Sequence, residues 1–260
     1  MTLEGNQQSN ERLFMKHIEK SGIGYERPLE TSVCNFVCDA TNCDIIELLP
    51  TSPHQVGRYA NHIEEVIDKA LETMHLNEVS TISFQFNGED TSVKLELNNF
   101  ETLPPTYEWS QEYMLETSLE LKEYAKVLFQ KSNYKYAVAH YQRSIHWLVM
   151  SEDEKAKMNE KPVLYLNIAA CMIKGEKYEK AIKCCNVALE SNPNQLKGLF
   201  RRGQCYLKLN DFENAATDLK AALSLEPANI SVKKELSFLQ KRIDEENSKS
   251  AKAMAKYFQM

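Results

Sequence analysis

The segment "QLKGLFRRGQCYLKL", residues 195–209, decides how the second half of the chain is interpreted. Its apolar residues follow a helical pattern and lie beside a pair of cations. Lys197 and Arg201 are four residues apart, so they project from one face of the helix and repel each other. A helix that keeps two cations on one face indicates a surface that meets an anion.

A repeat of 34 residues surrounds this helix. Six pairs of residues, most of them small, aromatic or proline, recur at that spacing: Pro193 and Pro227, Ala188 and Ala222, Ala181 and Ala215, Tyr178 and Phe212, Met172 and Tyr206, Ala169 and Gly203. An earlier copy matches at an offset of 44, where the equivalent residues are Ala125, Tyr134, Ala137 and Ser144. The ten extra residues fall near "MSEDEKAKMN", residues 150–159, a charged stretch that suits a loop.

A 34-residue helix–turn–helix unit with small residues at its helix contacts is the tetratricopeptide pattern. It predicts an all-α solenoid over residues 117–260, with repeats at about 117–150, 160–193 and 194–227. A terminal helix at about 230–258 is expected to cap the open end of the stack. A generic helical bundle is the alternative, but a bundle has no reason to keep a 34-residue register.

The first helix of each repeat lines the concave groove of such a solenoid. Lys197 and Arg201 belong to that helix in the third repeat, and Asn167 lies one period before Arg201 in the second. Lys122 lies on the matching helix of the first repeat, so we expect all four residues to converge on one groove. A peptide that ends in Asp carries two neighbouring carboxylates, which cations and an amide can hold through charge-assisted hydrogen bonds.

This constellation resembles the carboxylate clamp of tetratricopeptide co-chaperones. The resemblance implies that Lys122, Asn167, Lys197 and Arg201 hold the C-terminal Glu-Glu-Val-Asp tail of heat-shock protein 90, with heat-shock protein 70 as an alternative. Lys126 stands where the clamp often has a second Asn, and it is a further candidate that would add charge or alter the tail preference. The competing interpretation is a solvated basic face.

The first half of the chain is predicted to be an α+β domain. The segments "SVCNFVC", "STISFQF" and "SVKLEL" alternate and are rich in strand formers, whereas "HIEEVIDKALETM" has one apolar helical face. In this order they resemble an FKBP-type prolyl isomerase domain at residues 23–103, between an N-terminal segment, 1–22, and a linker, 104–116. The segments "YEWSQEYMLETSLELKEYAKVLF" and "KGLFRRGQCYLKLNDFENA" resemble the linker and repeats of the large FKBP-type immunophilins.

The same resemblance predicts that the isomerase pocket is degenerate. Active family members have an aromatic-walled pocket covered by a long loop that carries a tyrosine. Here "SFQFNGEDTSVKLEL" passes from strand to strand through Asn-Gly, the strongest short hairpin signal. Cys38, Ile67 and Val93 stand where large, mostly aromatic side chains usually line the pocket. We therefore expect no catalytic residues and no isomerase activity, with an active isomerase as the alternative.

Charge divides the chain into two parts. Up to Thr117 there are 7 Lys and Arg against 20 Asp and Glu, and beyond it there are 24 against 17. This asymmetry favours two units with different partners. A basic half suits nucleic acid or an acidic peptide, but its cations are interspersed with acids and no aromatic platform is visible, which favours the peptide.

Other features predict absences. No apolar run is long enough for a membrane span, and the polar N-terminus has no signal-peptide core. Cys34, Cys38 and Cys43, even with His54 and His62, lack the paired spacing of a zinc site, and no cofactor motif occurs. Seven scattered cysteines fit reduced thiols in the cytoplasm, with the nucleus as an additional compartment.

The sequence therefore predicts a non-catalytic adaptor. Its repeats dock a chaperone tail, and its FKBP-like half serves as a spacer or as the surface for an unidentified client protein. Some inactive relatives are scaffolds in germline small-RNA pathways, a second interpretation that chaperone binding does not exclude. The basic tail "KSAKAMAKYFQM" resembles the end of the family's last helix, where calmodulin binding has been proposed, and capping of the solenoid is the preferred role.

Overall fold

The computed structural model describes residues 13–40, 43–102, 104 and 106–258. The chain divides into two compact units, Met1–Glu108 and Trp109–Met260. The boundary falls within the segment 104–116 that was expected to link two domains. Among the described helices, none combines the length and the apolar composition that a membrane span requires.

The N-terminal unit is built on an antiparallel sheet whose spatial order is β1-β4-β5-β2-β3 over the residues described. The strands are β1 Met15–Lys20, β2 Val33–Ala40, β3 His54–Gln55, β4 Val79–Phe86 and β5 Glu89–Glu101. Helix α1, His62–Leu71, packs on the sheet, and a short 3-10 helix covers Cys43–Leu48. This arrangement confirms the α+β fold predicted for this half.

Helix α1 is stabilised by hydrogen bonds that cap its N-terminus and by an apolar face that packs into the core. Asn61 caps the helix by accepting a hydrogen bond from the Glu64 N–H at 2.8 Å, and Glu64 reaches back to the Ala60 N–H at 2.6 Å. The apolar face of the helix is fully buried and packs against the alternate inward residues of β2, β4 and β5. One continuous apolar core therefore fills this unit.

The sheet begins earlier than the predicted domain. The sequence placed residues 1–22 before the domain, whereas β1 pairs with β4 from Met15, opposite Ser83. The strand "MKHIEK" is mostly exposed and polar, so it carries no alternating apolar signal. Lys16 fastens it, because its Nζ donates to the Thr73 carbonyl at 2.8 Å and pairs with the buried Glu78 carboxylate at 2.6 Å.

The second unit is a stack of antiparallel helices. They are α2 Gln111–Gln130, α3 Tyr134–Met150, α4 Glu154–Lys174, α5 Tyr178–Ser191, α6 Leu196–Lys208, α7 Phe212–Leu225 and α8 Ile230–Phe258. Helices α2 and α3, α4 and α5, and α6 and α7 form three successive pairs, and α8 packs on α6 and α7. The predicted tetratricopeptide solenoid with a terminal helix is confirmed. Of the aromatic and Met residues of the basic tail, Met260 and the side chains of Tyr257 and Phe258 lie outside the described residues.

The ten extra residues of the first repeat lengthen helices rather than forming the predicted loop. The stretch 150–159 was expected to be a loop, but residues 151–153 alone connect α3 to α4. Asp153 caps α4 by accepting from the Ala156 N–H at 2.8 Å, and Pro162 follows inside the helix. Helix α4 therefore starts six residues before the predicted repeat, and it carries both Glu160 and Asn167.

Small residues hold the repeat register, as the 34-residue spacing predicted. Ala169, Ala181 and Ala215 are fully buried where helices meet. A Cβ added to Gly203 would lie 2.9 Å from Leu219 Cγ, so the backbone of α6 packs directly against the side chains of α7. The position demands glycine rather than merely tolerating it.

We expect Gly203→Val to lower the free energy of unfolding of the helical unit by about 1–3 kcal/mol, because overpacking forces the two helices apart. Chemical denaturation followed by circular dichroism measures the change. Gly175→Ala is the control, since a Cβ there would meet its nearest atom at 3.6 Å. An equal loss in both variants would contradict a specific close approach at Gly203.

Candidate peptide-binding groove

The first helices of the three pairs carry the candidate groove residues. Lys122 lies on α2, Asn167 on α4, and Lys197 and Arg201 on α6. Helix α4 packs between α2 and α6. The residues predicted from the repeat register therefore occupy three adjacent helices, with Asn167 on the middle one.

Arg201 reaches from α6 to the backbone of α4. Its Nη1 donates to the Leu166 carbonyl at 2.6 Å, which brings the guanidinium next to Asn167. Cys171, Cys185 and Tyr141 lie near it, and burial raises the pKa of each of these three groups to about 12. They are therefore neutral at physiological pH and do not balance the charge of the guanidinium.

This half-buried cation has no carboxylate partner among the described residues. Burial lowers the pKa of Arg201 from its usual value, which reflects the cost of holding a charge away from water. A sheltered charge without a counter-ion is unfavourable unless a ligand supplies one. The surroundings of Arg201 thus suit an anion that comes from outside the chain.

The adjacent arginine provides a contrast. Arg202 donates from Nε and Nη2 to the two carboxylate oxygens of Asp218 at 2.7 and 2.8 Å, and from Nη1 to Asn186 at 2.8 Å. The hydrogen bond to Asp218 raises the pKa of Arg202. Of the two neighbouring arginines, Arg202 is therefore bound within the scaffold, whereas Arg201 keeps donors for a ligand.

Lys197 and Asn167 are also uncommitted. Lys197 is exposed one turn before Arg201, and within the described parts of the chain it makes no hydrogen bond or ion pair. Asn167 is half-buried and its side-chain amide likewise has no hydrogen-bond partner among the residues described. Both groups can turn toward a ligand without breaking an existing contact.

The two lysines on α2 are already paired. Lys122 Nζ lies 2.9 Å from Glu160 Oε2 on α4, and Lys126 Nζ lies 2.9 Å from Glu123 Oε2 on its own helix. Lys126 and Glu123 are both exposed, so that pair is weak. Lys122 of α2 and Arg201 of α6 thus both contact α4, from the two helices that pack on either side of it. Lys126 stays on the exposed surface of α2.

A depression farther along these helices was missed by sequence reasoning. Lys174, Lys208 and Lys234 are exposed around the apolar side chains of Leu207 and Phe238. Lys174 and Lys208 are one 34-residue period apart, and that spacing could have revealed them. Cations therefore continue along the first helices beyond Arg201.

In the N-terminal unit, the three predicted pocket positions belong to the packed core. Ile67 and Val93 are fully buried in the core, and Cys38 is partly buried against it. The turn between β4 and β5 consists of Asn87 and Gly88, with φ of 53° and 87°, which is the two-residue hairpin that Asn-Gly predicts.

Cys34, His54 and Asp68 form a buried grouping in the same unit, but it is not a nucleophilic site. Burial, and then the charge of Asp68, raise the pKa of the Cys34 thiol to about 12, so it does not form a thiolate at neutral pH. Over the described residues no group of side chains could hold a metal ion; the side chain of Cys43, one of the candidates, lies outside them. The grouping is a structural one.

Together, the fold and the groove define a class of protein in which a tetratricopeptide domain follows a small α+β domain. Residues 168–242 match the tetratricopeptide repeat family. Over 95% of its length the chain is 36% identical to peptidyl-prolyl cis-trans isomerase FKBP4 of Bos taurus and 29% identical to that of Homo sapiens. The chain thus carries a tetratricopeptide domain and is similar to the FKBP-type immunophilins that have one, as its motifs predicted.

Both relatives are longer than this chain, which spans 58% of the length of each. Among solved structures, the Hsp90 co-chaperone Cns1 from Saccharomyces cerevisiae is similar, with a TM-score of 0.51 and 25% identity. The similarity covers 58% of this chain and 46% of that one. Part of the fold is therefore shared with a protein described as an Hsp90 co-chaperone.

Proposed function

We propose that the helical unit binds the acidic C-terminus of a chaperone and that the protein is a non-catalytic co-chaperone. The observation that carries the proposal is the half-buried Arg201 guanidinium, which lacks a carboxylate partner in the described chain and lies beside Asn167. Heat-shock protein 90 is the preferred partner, and its choice is supported by the similarity to the Hsp90 co-chaperone Cns1. Heat-shock protein 70 is the alternative.

The chemistry of the groove fits a peptide that ends in Asp. Arg201 is held in place by the Leu166 carbonyl and can present its remaining N–H groups to one carboxylate. Lys197, on a flexible exposed side chain, can reach a second carboxylate, and the Asn167 amide can donate to either. Hydrogen bonds to charged groups contribute about 1.5–3 kcal/mol each, and micromolar binding needs about −8 kcal/mol, so about three to five such bonds are needed, and Arg201 and Lys197 can each donate more than one.

Titration of the purified protein with a peptide that ends in Met-Glu-Glu-Val-Asp tests this function. We expect micromolar binding that is lost when the peptide carries a C-terminal amide, since the amide removes one of the two carboxylates. Absence of binding would mean that the groove takes a different ligand. A scaffold role without the chaperone, such as one in a germline small-RNA pathway, would then be the better interpretation.

The N-terminal unit is proposed to bind a client or another partner without catalysing isomerisation. Its relatives are named as isomerases, but here the expected pocket positions, Cys38, Ile67 and Val93, are small or aliphatic and part of the packed core. Two turn residues, Asn87 and Gly88, take the place of the loop expected to cover the pocket. A shaped aromatic surface for a proline ring is therefore missing at these positions.

We expect no acceleration of prolyl cis–trans isomerisation of a model peptide at catalytic amounts of the protein. An active isomerase in the same assay is the positive control. A rate that rises in proportion to protein concentration, and that co-elutes with the chain in size-exclusion chromatography, would contradict this expectation.

A further inference from the structure

Glu160 forms an ion pair with Lys122, one of the cations of the proposed groove. Its Oε2 lies 2.9 Å from Lys122 Nζ, and the pair joins α4 to α2. Both side chains are sheltered, with 20% of Lys122 and 28% of Glu160 exposed. The contact therefore places a carboxylate of the chain itself where the proposed function needs one from a ligand.

The position of Glu160 follows from the length of α4. Glu160 precedes Asn167 by seven residues, or about two helical turns, so the two side chains share a face of α4. Glu160 is the first residue of the predicted second repeat, and because α4 already begins at Glu154, Glu160 lies inside the helix rather than at its end. Neither Lys197 nor Arg201 has a comparable carboxylate within the described chain.

We propose that Glu160 is a specificity-determining residue that competes with a ligand carboxylate for Lys122. This inference rests on the proposed function of the groove. A tail with two terminal carboxylates must displace Glu160 to reach Lys122. The Glu160 carboxylate is then unpaired and lies close to the carboxylate of the peptide. A tail with a single terminal carboxylate can use Lys197, Arg201 and Asn167 and leave the Lys122–Glu160 pair in place.

The groove is therefore expected to discriminate less between a terminal Asp and a terminal Asn than it would without Glu160. The variant Glu160→Gln removes the negative charge and keeps the shape of the side chain, so it should release Lys122 for the ligand. Glu154→Gln is the matched control, because Glu154 lies on the same helix and pairs at 3.0 Å with Lys157, but is 85% exposed.

The probes are two peptides, ending in Met-Glu-Glu-Val-Asp and in Met-Glu-Glu-Val-Asn. Because the Lys122–Glu160 pair is only partly sheltered from water and its attraction is therefore modest, we expect Glu160→Gln to tighten binding of the Asp-ending peptide by about three- to tenfold. Binding of the Asn-ending peptide should change by less than about twofold, and Glu154→Gln should leave both affinities unchanged.

A second substitution separates competition for Lys122 from a general loss of negative charge. Lys122→Ala should weaken binding of the Asp-ending peptide by less than about twofold in the native background, but by about tenfold in the Glu160→Gln background. Thermal unfolding confirms that each variant is folded. Equal effects of Glu160→Gln on both peptides, or equal effects of Lys122→Ala in both backgrounds, would overturn the role of Glu160 and leave the proposed peptide-binding function intact. If neither the native protein nor Glu160→Gln bound either peptide, both the proposed function and the role of Glu160 would be contradicted.

Discussion

Replacing Lys197 with alanine is expected to weaken binding of the Met-Glu-Glu-Val-Asp peptide by about 10- to 100-fold, because a charge-assisted hydrogen bond contributes about 1.5–3 kcal/mol. The unfolding temperature should not change, since Lys197 is exposed and has no hydrogen bond or ion pair in the described chain. Calorimetric titration and thermal unfolding of the same preparation measure the two quantities.

Arg201→Ala should weaken binding to a similar extent but should also lower stability. Its guanidinium is half-buried and donates to the Leu166 carbonyl, which loses that donor in the variant. The pair of variants thus separates the two roles: Lys197 acts on the ligand alone, whereas Arg201 acts on the ligand and on the packing of α6 against α4.

Lys180→Ala provides the control for loss of a positive charge. Lys180 is exposed on α5, the second helix of its pair, so its replacement should leave the peptide affinity unchanged. If Lys197→Ala bound the peptide as tightly as the native protein, or if Lys180→Ala weakened it equally, attraction by the overall basic charge would replace the clamp as the explanation.

The repeat architecture could be predicted because helix contacts constrain residue size. Small residues recur in register because they lie where helices meet: Ala169 and Ala181 are fully buried, and a Cβ at Gly203 would lie 2.9 Å from Leu219 Cγ. The same register identified Asn167 from Arg201, since both occupy one position in successive repeats. Period and residue size were thus enough to place the groove residues on adjacent helices.

Features that depend on particular side-chain pairings could not be predicted. The repeat register singled out Arg201 but did not show that Arg202 is bound within the scaffold, because that depends on Asp218 of α7, which accepts from Arg202. The pair of Lys122 with Glu160 joins α2 to α4, and the repeat register does not show which side chains of neighbouring repeats meet. The edge strand β1 was missed because it is mostly polar and its two apolar residues, Met15 and Ile18, lie on opposite faces and are exposed, so no alternating pattern appears.

A buried polar link in the N-terminal unit leads to the second large prediction. Asp68 is fully buried on α1, and its Oδ1 accepts from the Gly57 N–H at 2.7 Å and bonds His54 Nε2 at 2.9 Å. Both partners lie in the segment before α1, so this one carboxylate fastens β3 and the following turn to the helix. Its Oδ2 has no hydrogen-bond partner among the residues that the structure describes, which makes the site costly to hold even in the intact protein.

We expect Asp68→Ala to lower the free energy of unfolding of the N-terminal unit by about 3–5 kcal/mol, because removing one partner leaves buried polar groups unpaired. Asp68→Asn should cost less, since its amide oxygen can still accept from Gly57. Hydrogen exchange resolved by peptide is the suitable measurement. Both tryptophans, Trp109 and Trp147, lie in the helical unit, so fluorescence reports on that unit instead.

Exchange should rise in α1, β4 and β5 of Asp68→Ala and stay unchanged in α4 and α6. Asp39→Ala is the matched control, because Asp39 is exposed on β2 of the same unit and its loss should change stability by less than about 0.5 kcal/mol. Equal protection of the sheet in Asp68→Ala and Asp39→Ala would contradict the role of the buried carboxylate. Loss of protection in the helical unit as well would show that the effect extends beyond the N-terminal unit.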